Sequence, residues 1–112
     1  MAGRIVRGDV RLYQSASPDK SRAVLVLTRD SAISYLSNVT VAPVTSTIRG
    51  APSEVVLREE DGMKTPCAVN LHHAVTVSQQ RLGRRLAQLG SARMSEICAA
   101  LRFSLGCDQS CP

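Results

Sequence analysis

Apolar residues in this chain come mostly in short runs separated by polar punctuation, a pattern that predicts short strands. The clearest run is residues 23–28, Ala-Val-Leu-Val-Leu-Thr, which has the length and β-branched content of a strand buried on both faces. Residues 8–13 read as an earlier strand, joined to it by the polar loop 14–21 with Pro18, Asp19 and Lys20 in succession. Beyond the second run, Asp30 and Ser31 can cap a helical turn reaching Leu36, because a short polar oxygen there satisfies free backbone N–H groups. Residues 38–45 are the next strand. Pro43 within it cannot donate to a ladder, so an edge position or a bulge is expected.

Past the turn at residues 49–52 lies a strand over 54–57. Past Glu60, Asp61 and Gly62 lie residues 66–77, expected as two strands broken near His72 and His73. The count is five or six strands. Residues 82–89 stay open: Leu82, Leu86 and Leu89 suit a helical stripe, while residues 84–89 equally suit an alternating strand. Met94, Ile97, Cys98, Leu101 and Leu105 fall at helical spacing, with Ser91 placed to cap the start and Gly106 to end the helix. Cys98 on that stripe reads as core. These elements make a mainly β, mostly antiparallel small barrel closed by a C-terminal α-helix. It is expected as a single domain over residues 1–112, with 107–112 a flexible tail.

Composition narrows this picture. At 112 residues the chain has room for one modest core, since domains usually run to about 100–150 residues. With 44% hydrophobic and 21% charged residues it belongs with globular chains, not disordered ones. Aromatics are 3% and Trp is absent, so the core must come from Val, Leu, Ile and Ala, and base stacking would fall to Tyr13, Tyr35, Phe103, His or Arg. That argues against an RRM-like stacking platform. The net charge of +5 has the sign expected of a protein that meets phosphates. Arg81, Arg84, Arg85, Arg93 and Arg102, opposed only by Glu96, read either as one basic surface or as a solvated helix face.

The first residues carry no apolar segment, and no run approaches the ~18 apolar residues of a membrane span, so a cytoplasmic location is expected. The four cysteines include no CxxC pair and read as reduced thiols. A zinc site from Cys107, Cys111, His72 and His73 would depart from the common ligand spacings. No metal or other cofactor is expected.

Several segments together resemble the MazF/PemK/Kid endoribonuclease toxins, also called mRNA interferases. Arg7-Gly8-Asp9-Val10 resembles their "RGDV/RGEI" first strand, residues 21–27 (Ser-Arg-Ala-Val-Leu-Val-Leu) resemble "RPVLVL", and residues 41–47 (Val-Ala-Pro-Val-Thr-Ser-Thr) resemble "VAPVTT". The stretch from Cys67 through Thr76 is similar to the family's later strand pair, and the end of the last helix resembles "ALRxSLG". Order and spacing agree over nearly the whole chain. The resemblance implies an SH3-like barrel of the CcdB/PemK type that dimerises, cuts single-stranded RNA at short sequences without a metal, and is neutralised by a partly disordered, acidic antitoxin. It also tips residues 84–89 toward a strand.

Metal-free RNA cleavage usually uses the ribose 2′-OH as nucleophile, so a protein must deprotonate it, stabilise the crowded phosphorane and help the 5′-oxygen leave. Arg22 matches the family's catalytic arginine, and a planar, permanently charged guanidinium suits the phosphorane. Without the family match it would be an exposed strand-end arginine. Thr45 matches the catalytic threonine, whose hydroxyl can donate to a non-bridging oxygen; alone it is ordinary β-propensity. Ser46 and Thr47 either hold a neighbouring phosphate or make turn hydrogen bonds.

Two departures stand out. The loop over residues 14–21 lacks the family's "GSEQ" segment, so the usual candidate base has no counterpart, and Asp19 is the carboxylate left there. His72 and His73 stand where the family often has Glu or Asp followed by Gln or Asn in contact with RNA. Histidine can exchange protons near neutral pH and can stack on or hydrogen-bond a base; the ordinary reading is one packed ring and one solvated ring. Lys20 and Arg49, in loops that should border the groove, read as attracting the RNA backbone or as solubilising charges.

The partners implied are a single-stranded RNA substrate, a second copy in a two-fold homodimer, and an antitoxin segment rich in Asp and Glu that folds on binding. A gyrase-binding toxin of the CcdB type shares the fold but cuts nothing, and the Arg22 and Thr45 motifs favour the nuclease over it. A basic barrel that binds nucleic acid without cutting is the third reading.

Overall fold

The computed structural model describes residues 4–14 and 21–107. In chain order they form β1 (Asp9–Gln14), β2 (Ser21–Val26), the short helix α1 (Asp30–Ile33), β3 (Asn38–Thr45), β4 (Glu54–Leu57), β5 (Cys67–Asn70), β6 (Val75–Ser78), β7 (Leu82–Gln88) and the helix α2 (Ser91–Leu105). Short 3₁₀ turns cover Glu59–Asp61, Leu71–His73 and Gln79–Arg81. Every pairing is antiparallel, in the order β4-β5-β3-β2-β1-β7 with β6 also on β3. The sheet curls into a half-barrel, and α2 packs against β4 and the turn Leu71–His73. This is the expected mainly β architecture with its closing helix. Seven strands form where five or six were expected, because residues 82–89 resolve as β7, and 66–77 do break into β5 and β6 at the histidines.

β2 explains the two-sided core. Leu25 and Leu27 join Val10, Leu57, Val69, Leu71, Met94 and Ile97 on the face that α2 covers, while Val24 and Val26 join Ile33, Val39, Val41 and Leu82 on the other. A strand with partners on both faces needs a continuous apolar run, as residues 23–28 have. β3 is interior as well, which leaves Pro43 to be explained. Val41 is the last β3 residue paired with β6, and Val44 is the first paired with β5. Pro43 falls in the gap where β3 exchanges one partner for the other, a place that asks for no N–H on that side.

The helix starts differ from expectation. Asp30 is the first residue of α1 rather than its cap; Arg29 holds the cap position without a side-chain bond, and the Asp30 carboxylate accepts the Arg7 N–H at 2.7 Å instead. Ser91 is likewise the first residue of α2, preceded by Gly90, and makes no capping bond. Gly106 does end α2, with φ 75° and the Cys107 N–H returning to the Arg102 carbonyl at 2.8 Å, the closing bonds of a left-handed helix terminus. Cys98 is half-buried rather than core, and its Sγ accepts from Arg7 Nη2 at 3.0 Å. Cys107 is exposed; the rest of the 107–112 tail, and Pro18, Asp19 and Lys20, lie outside the described residues.

Asp9 opens β1 and Arg11 follows two residues on, and both are buried, at 0% and 1% exposure. Arg11 Nε meets Asp9 Oδ2 at 2.9 Å, and its other nitrogens donate to the carbonyls of Gly83 and Arg4. Asp9 also accepts from the Val6 N–H, from Gln88 Nε2 and, at 3.4 Å, from Arg85 Nη1. Gly8, at φ +95°, brings the chain so close to Leu89 that an added Cβ would lie 3.2 Å from its carbonyl oxygen. The Gly8-Asp9 pair therefore seats β1 on β7. Removing one partner of a buried ion pair leaves an uncompensated charge and costs about 3–5 kcal/mol. Arg11→Met should lose stability on that scale in urea unfolding, and Asp9→Leu/Arg11→Met should recover much of it; a single-variant loss below about 1 kcal/mol would remove the pair from this role.

A second ion pair docks α2. Arg93 grips Asp61 with Nε to Oδ1 at 2.9 Å and Nη2 to Oδ2 at 2.8 Å, donates to the Val56 carbonyl, and reaches Glu96 from Nη1. The Arg93 guanidinium, and after it the Arg58 N–H, hold the Asp61 carboxyl below its usual range. A carboxyl depressed in the folded state contributes stability that is complete above its unfolded value, about 3.9, and is lost as pH falls through the folded value. Thermal melts should therefore decline from about pH 4 downward, and more steeply in wild type than in Asp61→Asn. Equal slopes would exclude the clamp as a source of acid sensitivity.

Candidate active site

Arg22 and Thr45 sit on neighbouring strands at the same end of the sheet. β2 and β3 pair through Ala23 opposite Val44, and one more step of that register sets Arg22 across from Thr45. Arg22 is exposed and faces Tyr13 on the β1 side; Thr45 is half-buried and pairs with Ala68 of β5. The Thr45 Oγ1 accepts the Thr47 N–H at 3.1 Å. That bond occupies a lone pair and leaves the hydroxyl proton for an outside acceptor, the orientation a phosphate oxygen requires.

Thr45 and Ser46 line a cavity of about 320 Å³. Its apolar walls are Ala23, Val44, Met63, Cys67 and Leu86, and Lys64, Thr65 and Arg84 complete the polar rim. Burial, and after it the Asp61 carboxylate, pushes the Cys67 thiol up, so the wall it contributes is neutral. Sequence reasoning missed Lys64 and Thr65 as site residues and left Arg84 on an undecided element. Their place follows from pairing: Leu57 of β4 is opposite Cys67 of β5, which puts the loop between those strands at the Thr45 end of the sheet.

The other candidates lie apart from this cavity. Arg49 is exposed in the turn after Thr47, where one oxygen of Glu54 accepts the N–H groups of Arg49, Gly50 and, at 3.4 Å, Ala51. Thr47 contributes its backbone to the turn described above. His72 and His73 occupy the 3₁₀ turn between β5 and β6, both exposed, with ring centroids 5.8 Å apart. His72 Nδ1 is 3.2 Å from Ser104 Oγ on α2, and His73 Nδ1 is 3.1 Å from Asn70 Nδ2. Lys20 is outside the described residues. The five arginines of the second half do not form one surface. Arg93, in the first turn of α2, is clamped on Asp61 and Arg85 leans on Asp9, Arg102 lines a hollow with Arg7, and Arg81 and Arg84 line a smaller cavity with Gln14 and Ser21. Among the described residues no group of three or more His, Cys, Asp or Glu is placed to hold a metal ion.

Over residues 2–105 the chain matches the family described as PemK-like, MazF-like toxin of type II toxin-antitoxin system. The chain belongs to the PemK/MazF toxin family. Among curated proteins it is similar to Probable endoribonuclease MazF5 of Mycobacterium tuberculosis (strain ATCC 25618 / H37Rv), 42% identical over 104 residues that cover 92% of this chain and 94% of that protein. It is also similar to Endoribonuclease MazF3 of Mycobacterium tuberculosis (strain CDC 1551 / Oshkosh), 36% identical over 82% of this chain and 89% of that protein. Among solved structures the Mycobacterium tuberculosis toxin MazF-mt6 superposes with a TM-score of 0.79 at 32% identity, covering 88% of this chain and 96% of that one. An endoribonuclease in complex with its cognate antitoxin from a Mycobacterial species superposes at 0.83 over 97% of this chain and 100% of that one; at 23% identity it speaks for the fold. In a PemK/MazF toxin the Arg22–Thr45 pairing has a family context, and the match is to the PemK/MazF family rather than to the gyrase-binding CcdB type.

The Glu54 contacts make the turn beside Ser46 a built element, since one carboxylate satisfies successive N–H groups. In Glu54→Ala, amide exchange at Arg49 and Gly50 should rise several-fold while β2 and β3 stay protected. Unchanged protection in the turn would deny Glu54 this role.

Proposed function

We propose that this chain is the toxin of a toxin–antitoxin pair and acts as a sequence-selective endoribonuclease on single-stranded RNA in the cytoplasm, with Arg22 and Thr45 at its catalytic centre. The observation that carries the reading is the register that sets Arg22 across from Thr45 in a chain of this family. The ribose 2′-OH gives its proton to solvent as its oxygen bonds to the adjacent phosphorus, the P–O5′ bond breaks, the departing 5′-oxygen takes a proton from solvent, and a 2′,3′-cyclic phosphate and a free 5′-hydroxyl result. Arg22 supplies charge and paired donors to the non-bridging oxygens as negative charge concentrates on them. The Thr45 hydroxyl, oriented by the Thr47 N–H, adds a second donor. None of these roles requires a metal ion, so the reaction should run in EDTA. Ser46, Thr47, Arg49 and Lys20 would guide the RNA backbone near the cut, and His72 and His73 would meet it farther along. No helix among the described residues is long and apolar enough to cross a membrane.

The proposed partners follow from the same family reading. The toxin would work as a two-fold homodimer, and a disordered, acidic antitoxin segment would occupy the RNA path and fold there.

Purified wild type, Arg22→Ala and Thr45→Val, incubated in EDTA with a long unstructured RNA and mapped by primer extension, provide the test. Wild type should cut at a recurring short motif. Each variant, matched for folding by circular dichroism, should be slower by about 10²–10³, the usual loss for one transition-state donor. Intact RNA with folded, antitoxin-free wild type would sink the nuclease reading, and full activity in Arg22→Ala would move its centre elsewhere.

A further inference from the structure

We propose that the cavity beside Thr45 and Ser46 holds one unstacked nucleobase of the substrate and selects a base bearing an exocyclic carbonyl, guanine or uracil, through Lys64 and Arg84. This rests on the reading of the chain as an RNA-binding nuclease and says what the same site recognises.

The volume, about 320 Å³, lies at the low end of small-ligand pockets, roughly 300–1,000 Å³. The chemistry of the walls decides between ligands. A bare phosphate would gain from the two cations and nothing from Ala23, Val44, Met63, Cys67 and Leu86, which form most of the interior. A base gains from both: its faces lie against apolar groups, and its edge meets the rim. No aromatic ring lines the cavity, so the face is covered by aliphatic and thioether groups, and the Arg84 guanidinium is left to meet the edge.

The rim is one-sided in its hydrogen bonding. Lys64 and Arg84 only donate, and the hydroxyls of Thr45, Ser46 and Thr65 can do either. No carboxylate lines the cavity. Among the described residues neither Lys64 nor Arg84 is in an ion pair, so both retain their donors for a ligand. Guanine offers N7 and O6 to such a rim, and uracil offers O4. Adenine and cytosine present an amino group at the corresponding place, where a cation repels it. Because Thr45 belongs to both the cavity and the proposed catalytic pair, the base read here is next to the scissile phosphate.

The test uses non-cleavable 2′-O-methyl heptamers in pairs that differ at the keto or amino position: oligo-uridine against oligo-cytidine, and oligo-inosine against oligo-adenosine. Filter binding at one fixed salt concentration is read for wild type, Lys64→Met and Arg84→Gln. Both cations are exposed, so the variants should fold, which melting curves check. Wild type should bind the keto member of at least one pair about tenfold more tightly, the scale of one good base contact, and at least one variant should bring that ratio close to unity. Equal binding within both pairs by wild type overturns the proposal. So does a ratio that survives in both variants, including the case in which binding weakens uniformly and the cations serve only the backbone. The outcome is separable from the nuclease assay, because a keto preference in a protein that cuts nothing sinks only the catalytic reading, and cutting without that preference sinks only the pocket.

Discussion

The positions that matter at the Thr45 end of the sheet depend on how β7 is seated against β1, and that seat is built around the buried Asp9 carboxylate. Asp9 gathers donors from the arm before β1, from Arg11 on its own strand and from Arg85 and Gln88 of β7. The pairing of β1 with β7 is irregular on both sides of Arg11, so the backbone ladder alone does not specify the register there. The polar cluster does, because a one-residue slip would strand a carboxylate and a guanidinium without partners in an apolar setting, at a cost of several kcal/mol. With β7 locked, Arg84 falls at the rim of the Thr45 cavity and Leu86 in its wall.

β3 imposes the complementary constraint from the other side. One strand pairs along its full middle with β2, while its second edge is divided between β6 and β5. The division lets the chain fold back through the turn Leu71–His73 without leaving the sheet, and Pro43 sits at the place where neither partner asks it for a donor. The consequence for the site is directional. β5 takes over at Val44 and Thr45, so the loop entering β5, with Lys64 and Thr65, is held beside the end of β3 that carries the proposed catalytic threonine.

Local pattern was enough to read the strands with unbroken apolar runs, because burial on both faces leaves little room for polar residues; β2 is the plain case. The C-terminal helix was legible for the same reason, through Met94 and Ile97 and the terminating Gly106. Its start was misread, since Ser91 is the first helical residue and not the cap, and the same happened with Asp30, whose carboxylate turned to the Arg7 N–H. Short polar side chains near a helix start have several backbone groups within reach, and tertiary contacts choose among them. Arg22 and Thr45 are proposed on the family resemblance, whereas the place of Lys64 and Arg84 beside Thr45 requires the pairing of β4 with β5 and of β1 with β7. That pairing is a long-range property that no window of residues contains. Cys98 failed as a core residue because the helical stripe is wider than the face α2 buries, and Arg7 occupies its margin.

The arrangement of carboxylates gives the charge its direction. Asp9 is committed to Arg11 and Arg85, Asp61 and Glu96 to Arg93, Asp30 to a backbone N–H near β1, and Glu54 to the turn after Thr47. Each of these acids neutralises a cation or satisfies N–H groups, and none lines the Thr45 cavity. Arg22, Lys64 and Arg84 lie at the same end of the sheet, and among the described residues none of the three is in an ion pair. An excess of +5 spread evenly over the surface would be screened within about 8–10 Å at physiological salt and would attract anions weakly everywhere. Cations gathered at one concave site, as Lys64 and Arg84 are, raise the local density of phosphates there. RNA and an acidic antitoxin segment would be drawn by that field to the same place, so competition between substrate and inhibitor needs no conformational signal. An antitoxin segment would then have only to be the more tightly bound of two polyanions.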